Sequence, residues 1–436
     1  MTDYNKGLIS FLDKSPTAFH AVSSIKKKLV ASGYFELVES EKWELTEGGK
    51  YFVTRNDSSI IAFRVPSFNF AGFMIGAAHS DSPAFKVKEN PEIVENGYVK
   101  LNVEGYGGML MAPWLDRPLS VAGRIIVKNG NKYEVRLVNV DRDLLLIPNV
   151  AIHMNRDANK NQSWNAQVDM LPILGSADET KGTFMRIIAD AAGVSDSDII
   201  SHDLFVYARD KGKVWGGSDE YISSPHLDDL QCVYGCLEGF LGANNSSSVP
   251  VLAVFDNEET GSLTKQGADS TLLEDVLKRI SLSCGKDEES YYRSVSSSFM
   301  VSADNAHALH PNHPEKADPV NRPAINKGIV IKFNAAQHYT TDAVSCAVYR
   351  DLCESNDIPV QVFTNRSDSR GGSTLGNVSN AHVSLNTVDI GLAQLAMHSC
   401  YETAGAKDTK HLIDAMSIFY SKTFGVGAGG SFELLD

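Results

Sequence analysis

Two short apolar runs, Phe73 to Ala78 and Val249 to Phe255, constrain this chain most. Neither alternates with polar residues and neither reaches helix length, so both read as strands covered on both faces. Phe205 to Ala208 and Val330 to Phe333 add isolated strands, and helical patterns at Gly182 to Ala192 and Leu227 to Ala243 lie between them. Strands alternating with helices predict an α/β fold with a mixed, mostly parallel sheet sandwiched by helices. Nearer the start, Ser15 as cap, Pro16 at the first helical position and Phe19, Val22, Ile25 and Leu29 predict a helix that Gly33 ends. Strands at Tyr51 to Arg55 and Ile60 to Val65 follow.

The stretch from Tyr98 to Val140 breaks this rhythm. It is β-rich and punctuated by Gly105, Gly107, Gly108, Gly123 and Asn129-Gly130-Asn131, with no helical pattern inside it. A β-rich block within an α/β chain is the pattern of an insertion, and 436 residues exceed what one core usually serves. The expected division is 1–91 and 204–436 for the α/β part and 92–203 for the inserted domain.

Charge and composition exclude several function classes. Lys plus Arg total 40 and Asp plus Glu 54, so the formal charge is 40 − 54 = −14, which disfavours nucleic acid or an anionic membrane as partner. No run approaches the roughly 18 apolar residues of a membrane span, and the first residues resemble neither a signal peptide nor a presequence. Six scattered cysteines read as reduced and intracellular, and a cytoplasmic location is expected. Walker A and serine-elbow sequences are absent. Gly425 to Gly430 have the spacing of a dinucleotide fingerprint, but no helix follows, so they read as a flexible tail.

Five segments place acids or histidines within or just after apolar runs, where ligands bind in α/β sheets. Phe73 to Ala78 delivers His79, with Asp81 two residues on to orient the imidazole. Leu227-Asp228-Asp229 opens a helix, either as an N-terminal cap or as a carboxylate bridging two metals. Val249 to Phe255 ends in Asp256-Asn257-Glu258-Glu259, where one glutamate can bind metal while its neighbour takes a proton. Phe299 to Ala303 ends in Asp304, followed by His307, His310 and His313, read mostly as loop residues. His398, on Gln394 to Ser399, would alone be an ordinary core histidine. Together these nitrogen and oxygen donors without thiolates are the ligand chemistry of a two-zinc hydrolytic centre, whose shared hydroxide attacks a carbonyl.

The same segments, with Tyr106-Gly107-Gly108, Trp114-Leu115-Asp116-Arg117, Ala151-Ile152-His153 and Ser302 to Ala308, resemble the aspartyl aminopeptidase family over nearly the whole chain. The resemblance implies five metal ligands, His79, Asp228, Glu259, Asp304 and His398, with Asp228 bridging two Zn2+ ions. It pairs His79 with Asp304 and Glu259 with His398, and Mn2+ or Co2+ also suit such donors. It implies Glu258 as general base, Asp81 as the carboxylate behind the ligands, and His153 reaching a neighbouring subunit's active site. Lys332 would pair with an acidic substrate side chain, and Gly372 and Ser373 belong to a substrate loop. Two departures from the family pattern are His226, where arginine is expected, and Asp229, where asparagine is commoner. The implied activity is removal of N-terminal Asp or Glu from peptides with a free amino terminus. The nearest competitor prefers neutral residues such as Leu. The implied assembly is a homo-oligomer, a dodecamer built from dimers through the inserted dimerisation domain.

Overall fold

Nine strands form the main sheet of the computed structural model, which describes residues 2–435. In sheet order they are Phe35–Glu36, Lys50–Arg55, Ser59–Arg64, Val249–Phe255, Phe73–His79, Phe299–Ala303, Asn386–Gly391, Ile329–Phe333 and Val360–Thr364. Five neighbouring pairs are parallel and three antiparallel, so the sheet is mixed and mostly parallel.

Successive residues of the central strands feed two different cores. Ile60, Ala62, Met74, Leu252, Val254 and Val301 face one core, built with the helices Asp3–Asp13, Ala18–Ala31, Leu227–Gly242, Ala343–Glu354 and Asp408–Tyr420. Ile61, Phe63, Phe73, Ile75, Val251 and Ala253 face the other, with Leu272–Ser283 and Glu288–Ser296. Both faces are covered, which is why these strands carry apolar residues facing both ways, with no polar alternation.

A second, six-stranded sheet is antiparallel throughout. Its order is Lys132–Asn139, Leu119–Asn129, Ile199–Ala208, Ala84–Glu95, Tyr98–Tyr106 and Ile173–Ser176. It has its own core around Phe85, Leu101, Val121, Ile125 and Val206, closed by Phe184 and Ile188 of the helix Phe184–Ala192. Its strands run from Ala84 to Ala208, past residues 92 and 203 at both ends. A third sheet of short strands (Lys213–Trp215, Tyr221–Ser224, Glu402–Gly405, Ala393–Leu395 and Ala306–His307) frames the end of the main sheet where the acids gather.

Two expectations change. Thr17, not Ser15, precedes the helix Ala18–Ala31. The Ser15 N–H is taken by Leu12 O at 2.9 Å, closing the unanticipated helix Asp3–Asp13. The C-terminal stretch is no free tail. Thr423–Val426 pairs with Phe432–Leu435, and the Phe424 and Phe432 rings stack with centroids 5.8 Å apart. All six cysteines are buried and unbridged. Among the described residues, no helix is long and apolar enough to cross a membrane.

Candidate active site and metal centre

Three neighbouring parallel strands bring the acids together at their carboxyl ends. Val249–Phe255 pairs with Phe73–His79 so that Phe255 lies opposite His79, and Phe299–Ala303 flanks them on the other side. Asp304 follows directly, while Glu258 and Glu259 sit in the single turn Glu258–Thr260. Asp228 enters from the helix Leu227–Gly242. It is no cap: Asp228 and Asp229 have non-helical backbone, and no side chain caps that helix end. His398 comes from the turn after Ala393–Leu395, with φ 66°.

Asp228 stands between two groups of donors. Its Oδ1 lies 3.5 Å from His79 Nε2, which is itself 3.9 Å from Asp304 Oδ1. Its Oδ2 lies 3.5 Å from His398 Nε2, which is 3.3 Å from Glu259 Oε2. Donor atoms about 2.0–2.2 Å from a tetrahedral zinc are themselves roughly 3.3 Å apart. The observed spacings match that figure better than direct hydrogen bonds. Asp228 Oδ1 and Glu259 Oε1 are also buried without a hydrogen-bond partner. Anionic oxygens in that condition call for a cation, so the donor set fits zinc on both sides of Asp228.

Other buried carboxylates hold this set in place through backbone N–H groups. Asp81 accepts from Glu258 N and Glu259 N, each at 3.2 Å, and from the Tyr106 hydroxyl at 2.7 Å. Asn257 Nδ2 in turn donates to that hydroxyl at 2.8 Å. Asp229 accepts from His79 N and Asn305 N at 3.2 Å each. Glu402 accepts from Asp228 N at 2.9 Å and His398 N at 2.7 Å. The rings are oriented by carbonyls: His79 Nδ1 meets Asp81 O at 3.1 Å, and His398 Nδ1 meets Gly108 O at 2.5 Å. Each leaves Nε2 facing Asp228.

The crowding of carboxylates sets the protonation of the cluster. Burial would raise Asp228, but the neighbouring His398 and His79 imidazoles outweigh it and hold the carboxyl below the usual range. Burial would lower His79, yet Asp229, Asp228, Asp304 and Asp81 keep it well above the usual imidazole value. Glu258 is pushed up to about 8, first by burial and then by Asp304, Asp81 and Asp228 against relief from His79. A bound cation opposes such shifts, because it supplies the charge that protons otherwise bring.

The cleft beside the cluster is about 310 Å³, and Glu258, Lys332, Gly372 and Ser373 line it with all five expected ligand residues. Lys332 is the only lysine or arginine among the lining residues. It is buried, with Nζ 3.3 Å from Asp304 Oδ2. Burial alone would lower its pKa, but Asp304, Tyr339 and Asp389 hold it above the usual value. Asp81 lies behind the cluster. His153 does not line this cleft; it sits exposed in the loop after Lys132–Asn139. His307 reaches the cleft wall, whereas His310 and His313 are exposed. His226, two residues before Asp228, lines a small cavity with it. Its Nε2 is buried without a partner, and burial lowers its pKa to about 4.

Sequence reasoning missed Glu402, Tyr339 and Phe363. Glu402 had one usable signal: alternation along Glu402–Gly405 puts it on the same face as the buried Ala404.

Comparison with known proteins settles the family. The model for "Aminopeptidase I zinc metalloprotease (M18)" matches residues 11–420. The chain belongs to the M18 family of aminopeptidases. It is a metallo-exopeptidase, and this family is the aspartyl aminopeptidase family of the sequence reading. A Clostridium acetobutylicum protein named probable M18 family aminopeptidase 2 is 49% identical over 427 residues, covering 96% of this chain and 99% of the relative. A Pseudomonas aeruginosa protein of the same name is 41% identical over 428 residues, covering 97% and 99%. The cryo-EM structure of the Ape4 and Nbr1 complex contains a chain of 34% identity and TM-score 0.93, with 96% of this chain and 85% of that one covered. The S. cerevisiae mApe1 dodecamer aligns at 28% identity and TM-score 0.84, covering 96% of both chains. M18 is a zinc metalloprotease family by that description, and the buried His/Asp cluster here can bind metal.

Proposed function

We propose that this M18 metalloaminopeptidase removes N-terminal Asp or Glu from peptides with a free amino terminus, and that Asp228 would be shared between two zinc ions held in its cleft. The reading rests on one observation: the two oxygens of Asp228 face separate donor groups, with Glu258 in the same cleft. His79 and Asp304 would hold one ion and Glu259 and His398 the other; Mn2+ and Co2+ are chemically acceptable substitutes. Zinc bound there supplies Lewis acidity, lowering the pKa of water from about 15.7 to about 7 and polarising the scissile carbonyl.

The chain's own groups do the rest. Glu258 takes the proton of the attacking water and returns it to the leaving amine as the C–N bond breaks. Asp81 fixes the Glu258–Glu259 turn through two backbone N–H groups. His153 of one subunit stabilises the developing oxyanion in its neighbour's cleft. Gly372 and Ser373 place backbone donors along the peptide. That arrangement needs a homo-oligomer, a dodecamer assembled from dimers through the inserted domain, and the dodecameric mApe1 relative supports it. In this reading the 92–203 insertion is the dimerisation domain, between catalytic parts 1–91 and 204–436. The buried, unbridged cysteines suit a cytoplasmic setting.

Acidic preference is assigned to Lys332, whose ammonium has donors beyond the one shared with Asp304. A neutral preference has its own support. Lys332 is already paired, and Phe363, Val378 and Met397 give the cleft apolar wall. A panel of Asp-, Glu- and Leu-terminated chromogenic substrates separates the two. Acidic preference predicts that Lys332→Ala lowers kcat/KM for Asp and Glu at least 10-fold more than for Leu. An equal loss on all three assigns Lys332 to holding Asp304 instead.

A further inference from the structure

We infer that Asp389 is a positioning residue that holds the substrate wall of the cleft by fastening two loops to the main sheet. The inference rests on the reading above in which Gly372 and Ser373 lie along the peptide. Asp389 is fully buried on the strand Asn386–Gly391, which pairs on one side with Phe299–Ala303 and on the other with Ile329–Phe333. Its carboxylate reaches two segments that contain no strand or helix of their own. From residues 334–342, Thr340 N and Thr340 Oγ1 each donate to Oδ2 at 2.5 Å. From residues 365–374, Thr374 Oγ1 donates to Oδ1 at 2.7 Å. The Asp389 N–H adds a bond to Thr341 Oγ1 at 2.8 Å.

Each segment carries cleft residues next to its anchor: Tyr339 beside Thr340, and Gly372 and Ser373 just before Thr374. Asp389 does not itself line the cleft, so it acts through the residues it holds. Gly376 marks how closely the two segments approach. A Cβ there would lie 2.7 Å from Thr340 Oγ1 and 2.9 Å from Asp389 Oδ1, nearer than a side chain tolerates. A buried hydrogen bond to a charged group is worth about 10–100-fold in the equilibrium between a held and a released loop. Where the wall is ordered for only part of the time, apparent affinity for the peptide falls by that fraction. Glu258 and Glu259 are held separately, by Asp81. The binding lost is therefore common to ground state and transition state, which raises KM and leaves kcat unchanged.

The test is steady-state kinetics of the zinc-loaded enzyme on the Asp-, Glu- and Leu-terminated substrates, beside limited trypsin digestion at Arg370, which lies exposed in the second loop. Thr374→Val removes one bond and no charge. It should raise KM about 10-fold on all three substrates, leave kcat within about twofold and hasten the Arg370 cut about 10-fold. Thr374→Ser keeps the hydroxyl and should retain wild-type values. Gly376→Ala, which wedges the two segments apart, should behave as Thr374→Val does. Asp389→Asn weakens both anchors and should exceed either, with zinc content unchanged. Should Asp389→Asn fail to fold, as judged by circular dichroism, the other three variants carry the test. Wild-type KM and digestion in Thr374→Val overturn the inference, as does a fall in kcat or in bound zinc at constant KM. If the wild type hydrolyses none of the three substrates, the proposed function fails, and the rate of the Arg370 cut still decides whether Asp389 holds the loop.

Discussion

The two large sheets of this molecule bury their strands in opposite ways. In the main sheet, Phe73–His79, Val249–Phe255 and Phe299–Ala303 are buried at every residue, and the candidate chemistry hangs from their ends. In the antiparallel sheet, the edge strand Lys132–Asn139 turns Tyr133, Val135 and Leu137 outward, with Tyr133 67% exposed. The first sheet finishes its own cores and spends its polar residues on a site. The second finishes one core and leaves an apolar edge exposed, the face by which the proposed dimerisation domain would associate.

The largest expected effect breaks the frame at its chemistry. Glu258→Ala should lower turnover about 10²–10⁴-fold, the usual contribution of a general base, while zinc content stays that of the wild type. The pair of measurements matters, since loss of metal would assign Glu258 to binding and unchanged turnover would remove it from the reaction.

The next prediction breaks the other sheet. Val135→Asp puts a charge on the outward face of the edge strand without touching either main-sheet core. Size-exclusion chromatography should show a smaller species, and activity should fall with it if His153 serves a neighbour. A variant that stays fully assembled moves the contact elsewhere on the insertion. A monomer with full activity contradicts the shared site.

What could be read from the residues alone follows the same contrast. The central strands were legible because burial on both faces removes polar alternation and leaves an apolar run that stops at an acid. The antiparallel sheet was legible as a β-rich stretch, but the residues where it starts and stops were not. Its first strand, Ala84–Glu95, shifts register between Val87 and Glu92, and its last, Ile199–Ala208, is broken near its start by the polar Ser201-His202-Asp203. Both look like loop until the partner strands are in place. At the site, acids following strands stood out, whereas His398 did not, being set in a left-handed turn off the sheet. Glu402 was invisible for a plainer reason: its partner Asp228 is 174 residues away, and no local pattern encodes that contact.

The smallest effect sharpens the comparison at the seam between the two regions. Asp203 of the antiparallel sheet pairs with Lys86 at 2.8 Å and Arg124 at 2.9 Å, and Arg124 also donates to Asn56 O of the main body at 2.7 Å. Burial would raise the Asp203 pKa, but these two cations outweigh it and hold the carboxyl below its usual value. A depressed folded pKa stabilises above the unfolded value, about 3.9, and that stability disappears as pH falls through the lower folded value. The pair is partly solvated, so about 1 kcal/mol is the expected size. Asp203→Asn should therefore lower the thermal midpoint near pH 7, and its gap from the wild type should close below about pH 4. A gap that persists in acid would mean that the seam is held by packing, such as Arg124 over the Phe19 ring at 4.3 Å, and not by the charge.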